Sequence, residues 1–184
     1  MAFIVVYDAS VLYGNTLRDL LIRIAQTGLV QAKWTHRIID EALAAVAKNH
    51  EDLTAEQIAR LKKLMIDAIP DGLIEGHEPL IDGLTGLRDP EDRHVLAAAI
   101  KAGAQVIVTS DKDFTEDALA PWDIEAKPPD DFVLDQIDIA DRIIWGCVQQ
   151  IANSRKQRPE TVEDVLAQLE RSGLVQSAAA LRTT

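Results

Sequence analysis

The chain has a single cysteine, Cys147, few aromatic residues and no excess of positive charge. One thiol cannot close an internal disulfide, and its apolar neighbours in "RIIWGCVQQI" predict a buried helix face, which suits a reducing compartment. Aromatic residues make up 4% of the sequence, which argues against a wide base-stacking platform. The formal charge of −11 argues against indiscriminate polyanion binding, which needs a net basic footprint. No apolar run approaches the ~18 residues of a membrane span, and the first residues lack the basic stretch and apolar core of an export signal. The expectation is a cytoplasmic protein without membrane association.

What is present is enough for a core. At 184 residues and 47% hydrophobic content, one globular domain needs no disulfide or other staple. The negative charge is concentrated: Asp111 to Asp141 holds eleven acids and two lysines, net −9, which leaves −2 for the rest of the chain. "FIVVY", Phe3 to Tyr7, is short and β-branched in its middle and predicts a strand buried on both faces. "NTLRDLLIRIAQTG" follows with Leu17, Leu20, Leu21 and Ile24 at helical spacing, and Gly28 is its expected stop. "LVQAKW" reads as a connector to a second helix, "THRIIDEALAAVAKNH". Thr54 and Gln57 stand at capping-box spacing ahead of a third, which Pro70 and Gly72 end. "DPEDRHVLAAAIKAGA" predicts a helix with Asp89 as N-cap and Pro90 at its first position, followed by a second buried strand, "QVIVTS".

Helices between short apolar strands indicate a parallel α/β sheet, because parallel neighbours need crossovers. Pro121, Pro128 and Pro129 break the next stretch, and from Phe132 the pattern is helical. "RKQRPE" reads as a linker, Thr161 and Asp164 as another capping pair, and Gly173 as a separator of two short helices. The expected division is residues 1–140 as a main domain and 141–184 as a helical extension packed on or near it.

Ligands of parallel α/β sheets bind beyond the C-terminal ends of the strands. Both strands here end in acids: "VVYD" at Asp8, and "VIVTSDKD" at Asp111 and Asp113. If the strands are neighbours, three carboxylates converge, which is unfavourable unless something positive sits among them. An oxygen-only donor set matches Mg²⁺ or Mn²⁺, and no Cys/His spacing suggests zinc. Each acid also has a plainer reading. Asp92 could complete a capping box with Asp89, Glu41 could be a solvated helix residue, and Asp8, Asp111 and Asp113 could serve as turn or cap residues.

The combination of Asp8 in "VVYDASVLYG", Glu41 in "HRIIDEAL", Asp92 in "DPEDRHVLAAAIKAGA" and the segment "VIVTSDKDF" resembles the PIN-domain ribonucleases, in particular the toxins of VapBC-type toxin–antitoxin pairs. The likeness covers roughly Phe3 to Lys127, and its last two motifs are the most specific. It implies an α/β three-layer fold, a central parallel sheet flanked by helices, with a small C-terminal helical extension. It also implies that Asp8, Glu41, Asp92 and Asp111 bind Mg²⁺ or Mn²⁺ directly or through water, with Asp113 as a supporting acid. Ser10, Thr109 and Ser110 fall where the family has small polar residues.

The activity implied is hydrolysis of RNA by metal-activated water, with an RNA substrate, a small cognate antitoxin protein and a homodimeric state. Arg18, Arg37, Arg88, Arg93 and Lys112 are the scattered cations available to RNA, while His94 reads as a structural or surface residue. Two rivals stand beside this. A non-catalytic PIN-like scaffold would bind RNA or protein, and a phosphatase or phosphoacceptor would form an aspartyl phosphate. The second is weakened because "VVYDAS" has no aspartate two residues after Asp8.

Overall fold

A computed structural model describes residues 3–184. Four short strands, β1 (Phe3–Tyr7), β2 (Val30–Lys33), β3 (Val106–Val108) and β4 (Glu125–Lys127), form one sheet in the order β2-β1-β3-β4, and every pairing is parallel. β1 is central: Val5 pairs with Ala32 on one side and Val106 on the other. Its Val5, Val6 and Tyr7 are fully buried, as its β-branched run requires. The two outer strands differ from expectation. The "LVQAKW" segment, a connector by its sequence, contains β2, whose exposed Gln31 shows the alternation of an edge strand, and β4 is the polar tripeptide "EAK" behind Pro121.

Nine helices accompany the sheet: α1 (Asn15–Gln26), α2 (His36–Asn49), α3 (Ala55–Ala68), α4 (Glu78–Ile81), α5 (Arg93–Ala102), α6 (Glu116–Leu119), α7 (Pro129–Ser154), α8 (Val162–Arg171) and α9 (Val175–Leu181), counted among the described residues. Flanking helices give the three-layer α/β arrangement. Tyr7 donates its hydroxyl to Leu21 O of α1 at 3.0 Å and packs edge-to-face on Phe132 of α7, ring centroids 6.0 Å apart. α5 packs on β1 and β3. Side-chain caps open α2, α3 and α8, the last two at the capping pairs expected from the sequence. Thr35 accepts the Ile38 N–H, Thr54 and Gln57 form a capping box, and Thr161 and Asp164 form another.

The C-terminal helices return to the core by a break in α7. Ala140 has φ −154° and ψ 62°, outside the helical region, and the helix is kinked there. The later half then lies along α1, where Arg23 Nη1 donates to Gln150 Oε1 at 3.2 Å and Arg155 Nη2 lies 3.9 Å from Asp19 Oδ2. The expected seam between residues 140 and 141 lies inside this element. α8 is tied to α1 by Thr16 Oγ1, which donates to Gln168 Oε1 at 2.6 Å.

Candidate metal centre

Because β1 and β3 are neighbours, Asp8 and the segment Thr109–Asp113 leave the sheet side by side. Asp8 starts a short 3-10 turn, Ala9–Val11, and its Oδ1 accepts the Ala9 N–H at 2.8 Å. Its Oδ2 accepts from Ser10 Oγ at 2.6 Å and from Thr109 Oγ1 at 2.8 Å. The carboxylate is buried and its orientation is fixed from both strands. Thr109 Oγ1 accepts the Asp111 N–H at 3.0 Å, and Asp111 Oδ1 accepts the Asp113 N–H at 2.9 Å. Ser10 Oγ accepts the Ser110 N–H at 3.0 Å, so the small polar residues singled out in the sequence all lie at this edge.

Asp92 reaches the same place from α5. Asp89 Oδ1 accepts the Glu91 N–H at 2.9 Å and opens a 3-10 turn over Pro90–Asp92, after which α5 begins at Arg93. Asp92 stands at the N-cap of α5 yet makes no cap hydrogen bond, so the capping-box reading does not hold for its side chain. Its Oδ2 is buried with no hydrogen-bond partner among the described residues. One carboxylate oxygen from each of Asp92, Asp111 and Asp113 lies within 4.8 Å of the others. Burial, and then the charges of Asp111, Asp89, Asp8 and Asp113, push the Asp92 carboxyl up to about 7.

This arrangement fits a hard divalent cation. A buried oxygen without a donor, beside two more carboxylates, lacks only positive charge, and the trio contains no histidine or cysteine that would favour zinc. The structure therefore brings together Asp92, Asp111 and Asp113, with Asp8 adjoining them.

Glu41 stands outside that trio, against Arg37 and His94. Arg37 Nε donates to Glu41 Oε1 at 2.9 Å, Arg37 Nη2 donates to Glu91 Oε2 at 2.7 Å, and His94 Nε2 lies 3.2 Å from Glu41 Oε2. His94 is buried, and that burial lowers its pKa against the opposing pull of Glu41. Arg18, read as a cation available to RNA, is buried instead. Its Nη1 donates to Leu12 O at 2.9 Å and to Tyr13 O at 3.1 Å, and it braces the loop that leaves Asp8. Nothing in the helical spacing of α1 announces that return.

The PIN domain profile matches residues 4–113, and the VapC50 C-terminal domain profile matches residues 129–183. Over 77 residues the chain is 42% identical to "Putative ribonuclease VapC50" of Mycobacterium tuberculosis (strain ATCC 25618 / H37Rv), a stretch covering 41% of this chain and 46% of that protein. The chain thus spans about half the length of this curated relative. No solved structure matches it. With the first profile covering β1, the acid after it, α5 and the acids after β3, the chain belongs to the PIN-domain family.

Proposed function

We propose that the protein is a divalent-metal-dependent endoribonuclease that acts as the toxin of a type II toxin–antitoxin pair. The observation that carries this reading is the buried, unpartnered Oδ2 of Asp92 within reach of Asp111 and Asp113. Asp92, Asp111 and Asp113 would hold Mg²⁺ or Mn²⁺, with Asp8 beside them and Glu41 as an outer acid. Such an ion, when bound, lowers the pKa of a water and offsets negative charge gathering on a phosphodiester.

The chain's own residues prepare that chemistry. Ser10 and Thr109 fix one oxygen of Asp8, and the Asp111–Asp113 turn fixes the direction of the Asp111 carboxylate. Asp92 must lose its proton before it can serve as a ligand, so metal affinity rises with pH through the neutral range. Membership of the PIN family and the likeness to a protein named as a ribonuclease support the substrate class. The reading includes a small cognate antitoxin as protein partner, a homodimer and a cytoplasmic setting.

The test is cleavage of a mixed cellular RNA pool by purified protein, comparing wild type with Asp92→Asn and Asp111→Asn, in Mg²⁺, in Mn²⁺ and in chelator. Discrete products that need both metal and carboxylates are expected. No cleavage in either metal, together with no heat of metal binding by calorimetry, would remove the proposal.

A further inference from the structure

The basic linker "RKQR", Arg155 to Arg158, has no part in the metal centre. It puts three cations into four residues of a chain whose formal charge is −11. With Glu160, and with Asn15 of α1 and Gln168 of α8, these cations line a recess of about 490 Å³. Three cations against one acid set this lining apart from the acidic chain around it.

The recess lies at the same edge of the sheet as the carboxylates. α1 carries the chain from the end of β1 back to the start of its parallel neighbour β2, so it begins at the edge where Asp8 stands, and its first residue is Asn15. Asn15 is seven residues on from Asp8, which keeps their backbones within about 25 Å of each other. The loop between them is pinned by the buried Arg18, which donates to Leu12 O and Tyr13 O, and it presents the half-exposed ring of Tyr13. A short strand can therefore reach both sites over that loop.

The groups of the lining offer donors and positive charge. Arg155 anchors the linker: its Nη2 lies 3.9 Å from Asp19 Oδ2 and its Nε 3.6 Å from Glu160 Oε2, which occupies both acids. Lys156 and Arg158 are exposed and form no ion pair among the described residues. Asn15 Oδ1 accepts from Arg18 Nη2 at 3.1 Å, and Gln168 Oε1 accepts from Thr16 Oγ1 at 2.6 Å. Both side-chain oxygens are thereby used, and the amide nitrogens, which only donate, have no partner among the described residues. Two unpaired cations and two free amide donors match the acceptor oxygens of a phosphodiester backbone. We infer that this recess holds the backbone of the RNA substrate away from the scissile phosphate, with Lys156 and Arg158 as its phosphate contacts. The linker of the C-terminal unit is then a substrate-binding element. This rests on the ribonuclease reading above and adds to it where the strand is held.

Two measurements on the full chain separate the readings: binding of a short fluorescent single-stranded RNA of randomised sequence in chelator, and cleavage of the cellular RNA pool in metal. Lys156→Ala combined with Arg158→Ala is expected to weaken binding about 25-fold at ~0.1 M salt and to reduce the slope of log K against the logarithm of salt concentration by about 1.4, the signature of two lost phosphate contacts. The KM for cleavage should rise with kcat unchanged, because these contacts lie away from the reacting atoms. Lys48→Ala combined with Arg60→Ala removes the same charge from exposed positions on α2 and α3 and should leave the slope as it is in wild type. If wild type binds and cleaves RNA and the Lys156 and Arg158 double variant matches it, or if both double variants weaken binding equally, the recess assignment is overturned and the ribonuclease reading stands. If wild type neither binds nor cleaves, both fall. RNA binding that survives the loss of Lys156 and Arg158, while capture of poly-glutamate does not, would assign the recess to an acidic protein segment and overturn the inference as well.

Discussion

Thr109 Oγ1 lies 2.8 Å from Asp8 Oδ2 and accepts the Asp111 N–H at 3.0 Å, so one buried hydroxyl joins the ends of β1 and β3 to two acids of the centre. Thr109→Val keeps the shape and removes both bonds. The expected cost is about 1–2 kcal/mol in stability, since the Asp111 N–H loses its acceptor and Asp8 loses a donor. RNA cleavage should fall by about tenfold or more with KM nearly unchanged, because Asp8 and Asp111 lose their fixed direction rather than their charge. Urea melts and steady-state kinetics check the two effects separately.

Asp92 gives a pH dependence of unusual sign for a carboxylate. Its unfolded pKa is the ordinary 3.8 and its folded value is about 7, so between those limits the folded metal-free protein binds more protons than the unfolded chain. This group's contribution is therefore unharmed below about pH 4, is lost progressively as pH rises to about 7, and is flat above it. Asp92→Asn should stabilise the metal-free protein at pH 8 by about 1 kcal/mol, a figure reduced for partial exposure, or about 2–4 °C in Tm, and should give no gain at pH 4. Added Mn²⁺ at ~100 times its Kd should reverse the order, raising wild type by about 2.7 kcal/mol and leaving the variant where it was. Thermal melts across pH, with and without metal, test both halves.

Much of the candidate centre was legible because its carriers obey local rules. β1 is an unbroken buried run ending in an acid, and the segments "DPEDRH" and "VTSDKDF" tie their carboxylates to a helix start and a strand end. The parts that stayed hidden depend on long-range partners. β2 and β4 are strands because β1 and β3 pair with them, not because "VQAK" or "EAK" demands it. Ala140 carries no glycine or proline signal, yet its non-helical backbone kinks α7. Arg18 occupies a helical position like any solvated charge, and only the fold shows it turned back onto the carbonyls of Leu12 and Tyr13.

Glu41 is where sequence and geometry give different emphasis. The family likeness lists it among the metal acids, whereas the structure pairs it with Arg37 and sets it against His94. Glu41→Gln should therefore lower metal affinity by about tenfold at most, the range of an outer residue, while Asp92→Asn and Asp111→Asn remove measurable binding. Stability should change by less than about 1 kcal/mol, because the Arg37 pair is solvent-exposed. Isothermal titration with Mn²⁺ ranks the variants. A Glu41→Gln loss equal to that of Asp92→Asn would move Glu41 into direct coordination.

The contact between Asp130 and Ser177 predicts that the C-terminal helices can be loosened without unfolding the sheet. Ser177→Ala removes one hydroxyl donor and leaves Asp130 with two backbone N–H partners. The expected loss is about 1–2 kcal/mol. Asp130→Ala should cost more, about 3 kcal/mol, because a charged acceptor disappears and the Gln176 and Ser177 N–H groups lose their partner together. Hydrogen exchange locates the effect: amides of α8 and α9 should exchange faster in both variants, while those of β1, paired on both sides, keep their protection. Equal acceleration in β1 would mean that the helices and the sheet unfold as one cooperative unit, and that the Asp130 contact supports the whole fold rather than the position of one turn.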